Sequence, residues 1–139
     1  MKYRLAILTT TINPETVSAM VKAAASAADQ TKAEITRVAA TVGCLDMPII
    51  AQRLFQKKDV DALVVLGAVA QGETQHDELV VNSMTQAIIQ LSLHHNKPVG
   101  FGIIGPGAKP AQFKTRTTDY AVRAVEAALR NLELLGELA

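Results

Sequence analysis

The sequence has few of the residues that mark several large classes of protein. It contains one cysteine, Cys44, and no tryptophan, and aromatic residues make up 4% of its 139 positions. A single cysteine excludes an internal disulfide framework and is typical of a reducing compartment. No apolar run reaches the length of a membrane span, and the run after the basic start is too short for a secretory signal. We therefore expect a cytoplasmic protein with no membrane partner.

An excess of charge of one sign is also missing. Charged residues make up 19% of the chain and the formal net charge is +1, so the electrostatic pattern of a nucleic-acid-binding protein is not visible. No P-loop and no set of residues with metal-ligand spacing occurs. The predicted ligand is therefore a small molecule, bound without a metal or a nucleotide cofactor.

Apolar residues, in contrast, make up 49% of the chain, enough for a proper core in one domain spanning residues 1–139. Short apolar runs alternate with helical patterns, which predicts an α/β fold: a three-layer α/β/α sandwich around a four-stranded parallel sheet, flavodoxin-like. The predicted strands are Tyr3–Thr9, Ala33–Ala40, Val60–Val69 and Lys97–Ile104. The second strand is the least apolar and is expected at an edge, and the third is apolar throughout and is expected inside.

Local signals predict the ends of the helices. Asn13 can cap the first helix, and Pro14 suits its first position. The second helix has Pro48 in its first turn and lysines in its last, and the fourth is expected over Thr118–Leu135. The third helix has an apolar stripe, formed by Leu79, Met84, Ala87, Ile88 and Leu91.

Ligands of parallel sheets bind beyond the carboxyl ends of the strands, and the loop of residues 70–75 at that edge has an unusual composition. Gly72 permits close approach of a ligand, and Thr74 is spaced to cap the next helix through Asp77. A helix start is an anion site, and His76 in the first turn is suited to proton transfer. The same residues also fit an ordinary helix cap with an exposed histidine, so spacing alone leaves both interpretations open.

Other candidates have ordinary explanations as well. The Gly-Pro-Gly sequence at 105–107 is a sharp turn after a strand, and Arg116 beyond it is either a solvated residue or a phosphate clamp. His94 and His95 suit the negative end of their helix. Phe101 and Cys44 are interpreted as core residues.

Taken together, the segment from Val60 to Leu129 resembles lumazine synthase, especially its archaeal type. The likeness rests on the "GETQHDE" loop, the "NKPV" strand start, the "GPG" turn and the "RTTDY…RAVEAAL" tail. Upstream, "VGCLDMP" is similar to the Pro-Gly-x-Phe-(Glu/Asp)-x-Pro loop of the family. The sequence "TTTIN" falls where members carry an aromatic residue followed by Asn.

The resemblance implies an enzyme that condenses 5-amino-6-(D-ribitylamino)uracil with 3,4-dihydroxy-2-butanone 4-phosphate. The product is 6,7-dimethyl-8-ribityllumazine, the precursor of riboflavin, and no metal or redox cofactor is needed. By resemblance His76 transfers protons, and Gly72, Glu73 and Thr74 form the phosphate-side loop. Asp46 binds the ribityl chain, and Val69 and Cys44 contact the pyrimidine through their backbones.

The resemblance also implies a homopentamer, because Phe101 and Arg116, the phosphate clamp, would come from a neighbouring subunit. Twelve pentamers could close into a 60-subunit icosahedral shell, as in some relatives. Two departures concern the pyrimidine pocket: Ile12 stands where the family usually stacks an aromatic residue, and Leu45 replaces a phenylalanine. The alternatives are an archaeal-type riboflavin synthase and a non-catalytic shell-forming or flavin-binding paralogue.

Overall fold

The computed structural model describes residues 2–70 and 76–139, which form a four-stranded, all-parallel sheet covered by helices. The strands are β1 (Tyr3–Thr10), β2 (Ala33–Thr41), β3 (Ala62–Ala70) and β4 (Val99–Ala108). They are arranged in the order β2-β1-β3-β4. The predicted fold class is confirmed, as are the edge position of β2 and the inner position of β3.

Four helices cover the two faces of the sheet: α1 (Pro14–Asp29), α2 (Met47–Phe55), α3 (His76–His95) and α4 (Pro110–Glu137). Helices α1 and α4 form one apolar layer with alternate strand residues such as Leu5 and Ile7. Helices α2 and α3 form the other layer with the residues between them, such as Ala6 and Leu8. Because both faces are buried, the inner strands are apolar at nearly every position.

Three predicted helix features were wrong. Helix α4 begins at Pro110 rather than Thr118, and α2 ends at Phe55, before the lysines expected in its last turn. Leu79, expected in the buried stripe of α3, is 64% exposed. It precedes Met84 by five positions, which at 3.6 residues per turn places it on the far side of the helix. Asp77 is buried on the core side instead.

The Gly-Pro-Gly sequence, expected as a turn after the strand, lies inside β4. Ala68 pairs with Ile104 and Ala70 pairs with Ala108, so residues 105–107 all lie opposite Val69. Gly105 and Gly107 adopt positive φ angles of 99° and 85°. This insertion is a β-bulge, a feature common beside functional sites, and it extends β4 beyond its predicted end.

An ion pair joins the amino ends of β1 and β3. The guanidinium of Arg4 donates to Asp61 from Nη2 to Oδ1 at 3.1 Å and from Nε to Oδ2 at 3.2 Å, and the Arg4 backbone N–H donates to Oδ2 at 2.7 Å. Partial burial acts to raise the pKa of Asp61, but the hydrogen bonds and the charge of Arg4 outweigh it and lower that pKa.

Within residues 2–70 and 76–139, no helix is both long and apolar enough to cross a membrane.

Candidate active site

The topology creates a crevice at the carboxyl ends of β1 and β3. These strands are neighbours, but β1 leads to α1 on one face and β3 leads to α3 on the other. Connections that diverge in this way leave space for a ligand. A cavity of about 510 Å³ lies there. Its described lining consists of Thr10, Ile12, Asn13, Gly43, Cys44, Leu45, Asp46, Ala68, Val69, Ala70, His76, Asp77 and Val80.

The loop after β1 contributes Ile12 and Asn13 to this cavity. Asn13 stands at the N-cap position of α1 with a left-handed φ of 55°, but its side chain makes no capping hydrogen bond. Instead its Nδ2 donates to the carbonyl oxygen of Ala68 at 2.8 Å. The predicted side-chain cap is therefore wrong, because this amide ties the loop to β3 across the crevice. Ile12 is 47% exposed and presents an aliphatic surface.

The loop after β2 forms a short 3₁₀ turn, Cys44–Asp46, that supplies the opposite wall. The Gly43 N–H donates to Asp46 Oδ2 at 3.0 Å, which fixes this carboxylate at the start of the turn. The Cys44 side chain is buried, and burial raises the pKa of its thiol. Leu45 beside it is 58% exposed, so the wall has a carboxylate, a neutral thiol and an aliphatic surface.

The carboxyl end of β3 and the start of α3 complete the cavity. Val69 is half-buried and His76 is exposed, and both line it. Asp77 is only 8% exposed, and its Oδ2 accepts a hydrogen bond from the Gly107 N–H at 3.0 Å. Gly72, Glu73 and Thr74, the predicted phosphate-side residues, lie outside the described residues.

Phe101 and Arg116 lie outside the described lining of this cavity. Phe101 is half-buried in β4 and lines a groove between the carboxyl-terminal parts of α3 and α4. Arg116 is half-buried and lies in the second turn of α4, because that helix begins at Pro110. Five predicted site residues (Ile12, Cys44, Asp46, Val69 and His76) thus line one cavity together with Leu45, and Phe101 and Arg116 do not.

Sequence reasoning missed Asn13 and Asp77 as residues of the cavity. The sequence pattern indicates a helix cap at Asn13, although "TTTIN" falls where family members carry an aromatic residue followed by Asn. The spacing from Thr74 indicates a capping box for Asp77. In both cases the sequence places a polar residue at the right position. Its hydrogen-bond partner, Ala68 for Asn13 and Gly107 for Asp77, is distant in the sequence.

The opposite end of the sheet contains a larger cavity, of about 750 Å³, in which three of the charged lining residues have partners. Arg4 is paired with Asp61, and Lys97 Nζ donates to the carbonyl oxygens of Phe55 at 2.8 Å and Lys57 at 3.0 Å. Among the described residues, no group of three or more His, Cys, Asp and Glu side chains is arranged to hold a metal ion. The cavity at the carboxyl ends lies where parallel sheets bind their ligands, and it is the candidate site.

Known proteins resemble the chain over nearly its whole length. The family model described as 6,7-dimethyl-8-ribityllumazine synthase matches residues 2–136. A 6,7-dimethyl-8-ribityllumazine synthase of Saccharolobus islandicus is 42% identical over 127 residues, which cover 91% of this chain and 82% of the relative. Its counterpart from Pyrobaculum arsenaticum is 40% identical over 91% of this chain and 85% of the relative, and that of Metallosphaera sedula is 39% identical over 91% and 84%. The chain belongs to the 6,7-dimethyl-8-ribityllumazine synthase family.

Proposed function

We propose that this chain, acting as one domain, is a 6,7-dimethyl-8-ribityllumazine synthase of riboflavin biosynthesis. It condenses 5-amino-6-(D-ribitylamino)uracil with 3,4-dihydroxy-2-butanone 4-phosphate through imine formation, phosphate elimination and ring closure. The observation that carries this proposal is the crevice at the ends of β1 and β3, where His76 and Asp46 line a largely apolar cavity of about 510 Å³. That volume and that composition suit a small heterocyclic ligand.

His76 is the proposed proton-transfer residue. Imine formation and elimination both require a group that accepts a proton and returns it, and an imidazole does this near neutral pH. The His76 side chain is exposed at the cavity, so a substrate bound there can reach it.

The pyrimidine and its ribityl chain are proposed to bind between the loops after β1 and β2. Asp46 accepts hydrogen bonds from the ribityl hydroxyls, and Val69 and Cys44 offer backbone groups to the pyrimidine. Ile12 packs against the ring. Burial keeps the Cys44 thiol neutral because it raises the pKa of that group, which fits a wall residue rather than a nucleophile.

The phosphate half of the site is proposed to be shared between subunits. Gly72, Glu73 and Thr74 supply the phosphate-side loop, and Phe101 and Arg116 arrive from a neighbouring copy. The separation of Phe101 and Arg116 from the described lining of the chain's own cavity supports this arrangement. It requires a homo-oligomer, and we propose a pentamer in the cytoplasm that is able to pack into a 60-subunit icosahedral shell. No metal or redox cofactor takes part.

A two-substrate assay tests the proposal. Incubation with the aminouracil and the butanone phosphate should produce the absorbance of 6,7-dimethyl-8-ribityllumazine. Formation of riboflavin from lumazine alone would instead indicate a riboflavin synthase. If neither product forms and light scattering shows an intact oligomer, the chain is a non-catalytic paralogue, and a stable monomer would contradict the shared site.

A further inference from the structure

We infer that Asp77 is a positioning residue that fixes His76 over the cavity by binding the bulge of β4. The inference rests on the proposed function, in which His76 transfers protons. Asp77 lies in the first turn of α3, directly after His76. Its Oδ2 accepts a hydrogen bond from the backbone N–H of Gly107, 30 residues away in the chain, at 3.0 Å.

The Asp77 carboxylate needs an explanation because it is buried. Its residue is 8% exposed and shares the core side of α3 with Val81, Met84 and Ile88. An apolar side chain would pack there without the desolvation that a carboxylate suffers. An acid at a helix start does stabilise the helix dipole, but the exposed neighbour Glu78 can do this in water. It is the buried position of Asp77 that brings a carboxylate within hydrogen-bond distance of the Gly107 N–H.

Gly107 offers a fixed point for this hydrogen bond. The next residue, Ala108, pairs with Ala70 at the end of β3, and Gly105 packs closely on the carbonyl oxygen of Val69. The bulge is therefore attached to β3 on both sides of Gly107. Through Asp77 the first turn of α3 is attached to the same strand that supplies Val69 to the cavity. His76 is consequently held relative to Val69 and the end of β3, and even a small displacement of a catalytic group can cost about 10²-fold in rate.

Three variants separate this role from a purely structural one. Asp77→Ala removes the acceptor, and kcat should fall about ten- to hundredfold with little change in KM. Asp77→Asn keeps an oxygen that can accept from Gly107 and should retain most of kcat. Glu78→Ala removes an adjacent charge from the same helix end and should behave as the parent protein. An equal loss in Asp77→Asn or Glu78→Ala would show that charge matters rather than the hydrogen bond, and would overturn the inference.

The decisive measurement is the same substitution in a His76→Ala background. If Asp77 acts through His76, Asp77→Ala should cause no further loss of kcat there. An equal loss in both backgrounds, or no loss in the parent, would overturn the inference.

Hydrogen exchange followed by mass spectrometry gives a readout that does not depend on turnover. Asp77→Ala should speed exchange in the peptide that contains Gly107, whereas Glu78→Ala should not. If the parent protein makes no lumazine, the proposed function fails on that result alone. Unchanged exchange at Gly107 would separately overturn the anchoring role of Asp77.

Discussion

Gly100 of β4 packs directly against the backbone carbonyl of Ala124 in α4, so closely that a Cβ at this position would overlap the carbonyl oxygen. Helix α4 can therefore approach the sheet only where β4 has no side chain. We expect Gly100→Ala to lower the free energy of unfolding by about 1–3 kcal/mol, because it overpacks a tight contact. Urea denaturation measures this.

Gly136 is the matched control for that substitution. It lies in the last turn of α4, and a Cβ added there would meet no atom of the described residues within 4 Å. Gly136→Ala should raise the stability by up to about 1 kcal/mol through helix propensity. Equal effects of the two substitutions would contradict the close packing of Gly100.

Thr9 has a buried hydroxyl, and Thr9 Oγ1 has no hydrogen-bond partner among the described residues. Leaving such a group unpaired costs about 1–3 kcal/mol. Thr9→Val should therefore leave the stability unchanged or raise it, as measured by thermal unfolding. Thr117 provides the comparison, because its buried hydroxyl donates to the Phe113 carbonyl at 2.6 Å. Thr117→Val should lower the stability, because it removes a hydrogen bond. If both variants lower the stability, the hydroxyl of Thr9 is not unpaired in the folded protein.

The ion pair between Arg4 and Asp61 predicts a dependence of stability on pH. The pKa of Asp61 is lowered in the folded protein, so the ionised carboxylate stabilises the fold fully above the unfolded pKa of about 3.9. This stabilisation is lost as the pH falls through the lower pKa of the folded protein. Asp61→Asn should lower the stability by about 1 kcal/mol near neutral pH. The difference from the parent should vanish in strong acid.

Asp119→Asn is the control for this pH effect. Asp119 forms an exposed pair with Arg123 at 3.5 Å, with side chains 65% and 70% exposed, so its removal should change the stability little at any pH. A difference for Asp61→Asn that persists below the folded pKa would show that packing, not charge, is responsible.

His76 and Arg116 should have separable kinetic roles. His76→Ala should lower kcat by about 10²–10⁴-fold unless uncatalysed condensation is appreciable, because it removes a proton-transfer group. Arg116→Ala should mainly raise the KM for the butanone phosphate, roughly ten- to hundredfold, through the loss of charge-assisted hydrogen bonds. Steady-state kinetics with each substrate varied in turn measures both effects.

Two other residues serve as controls for these kinetics. His94 lies in the last turn of α3, and Arg123 is an exposed residue on α4. His94→Ala and Arg123→Ala should leave both constants near those of the parent. If the His76 and Arg116 variants also match an active parent, the site lies elsewhere.

An aromatic residue at position 12 should strengthen pyrimidine binding. Ile12 lines the cavity and is 47% exposed, so a larger flat side chain has room to stack on a bound ring. Such stacking contributes about 0.5–1.5 kcal/mol, so Ile12→Phe should lower the KM for the aminouracil by roughly two- to tenfold. Ile49→Phe adds the same ring to an exposed position of α2 outside the cavity lining and should leave that KM unchanged. An unchanged KM for Ile12→Phe would place the pyrimidine elsewhere.

The fold was predictable because its signals are local. Continuous apolar runs marked β1 and β3, and Pro14 marked the start of α1, which the structure confirms. The start of α4 was missed because residues 110–117 have a weak apolar pattern, although Phe113 and Thr117 on one side are buried. The bulge of β4 was missed because glycine and proline mark a turn equally well, and only the pairing with β3 distinguishes the two.

The candidate site was predictable only in part. Loop composition and family resemblance pointed to His76, Asp46 and Val69, and these residues line one cavity. The partners of Asn13 and Asp77 depend on contacts between distant segments, which no spacing in the sequence reveals. The roles of Phe101 and Arg116 stay predictions, because they require a second copy of the chain.

The single cysteine gives this protein a built-in chemical reporter. Cys44 is the sole thiol of the chain and, like His76, lines the cavity, so alkylation modifies one known point. Its burial and its raised pKa both make the reaction slow near neutral pH, and mild alkali speeds it because more of the thiol is ionised. A molecule that fills the cavity should shield the sulfur, so the alkylation rate would measure occupancy by either substrate alone, without turnover and without an added label.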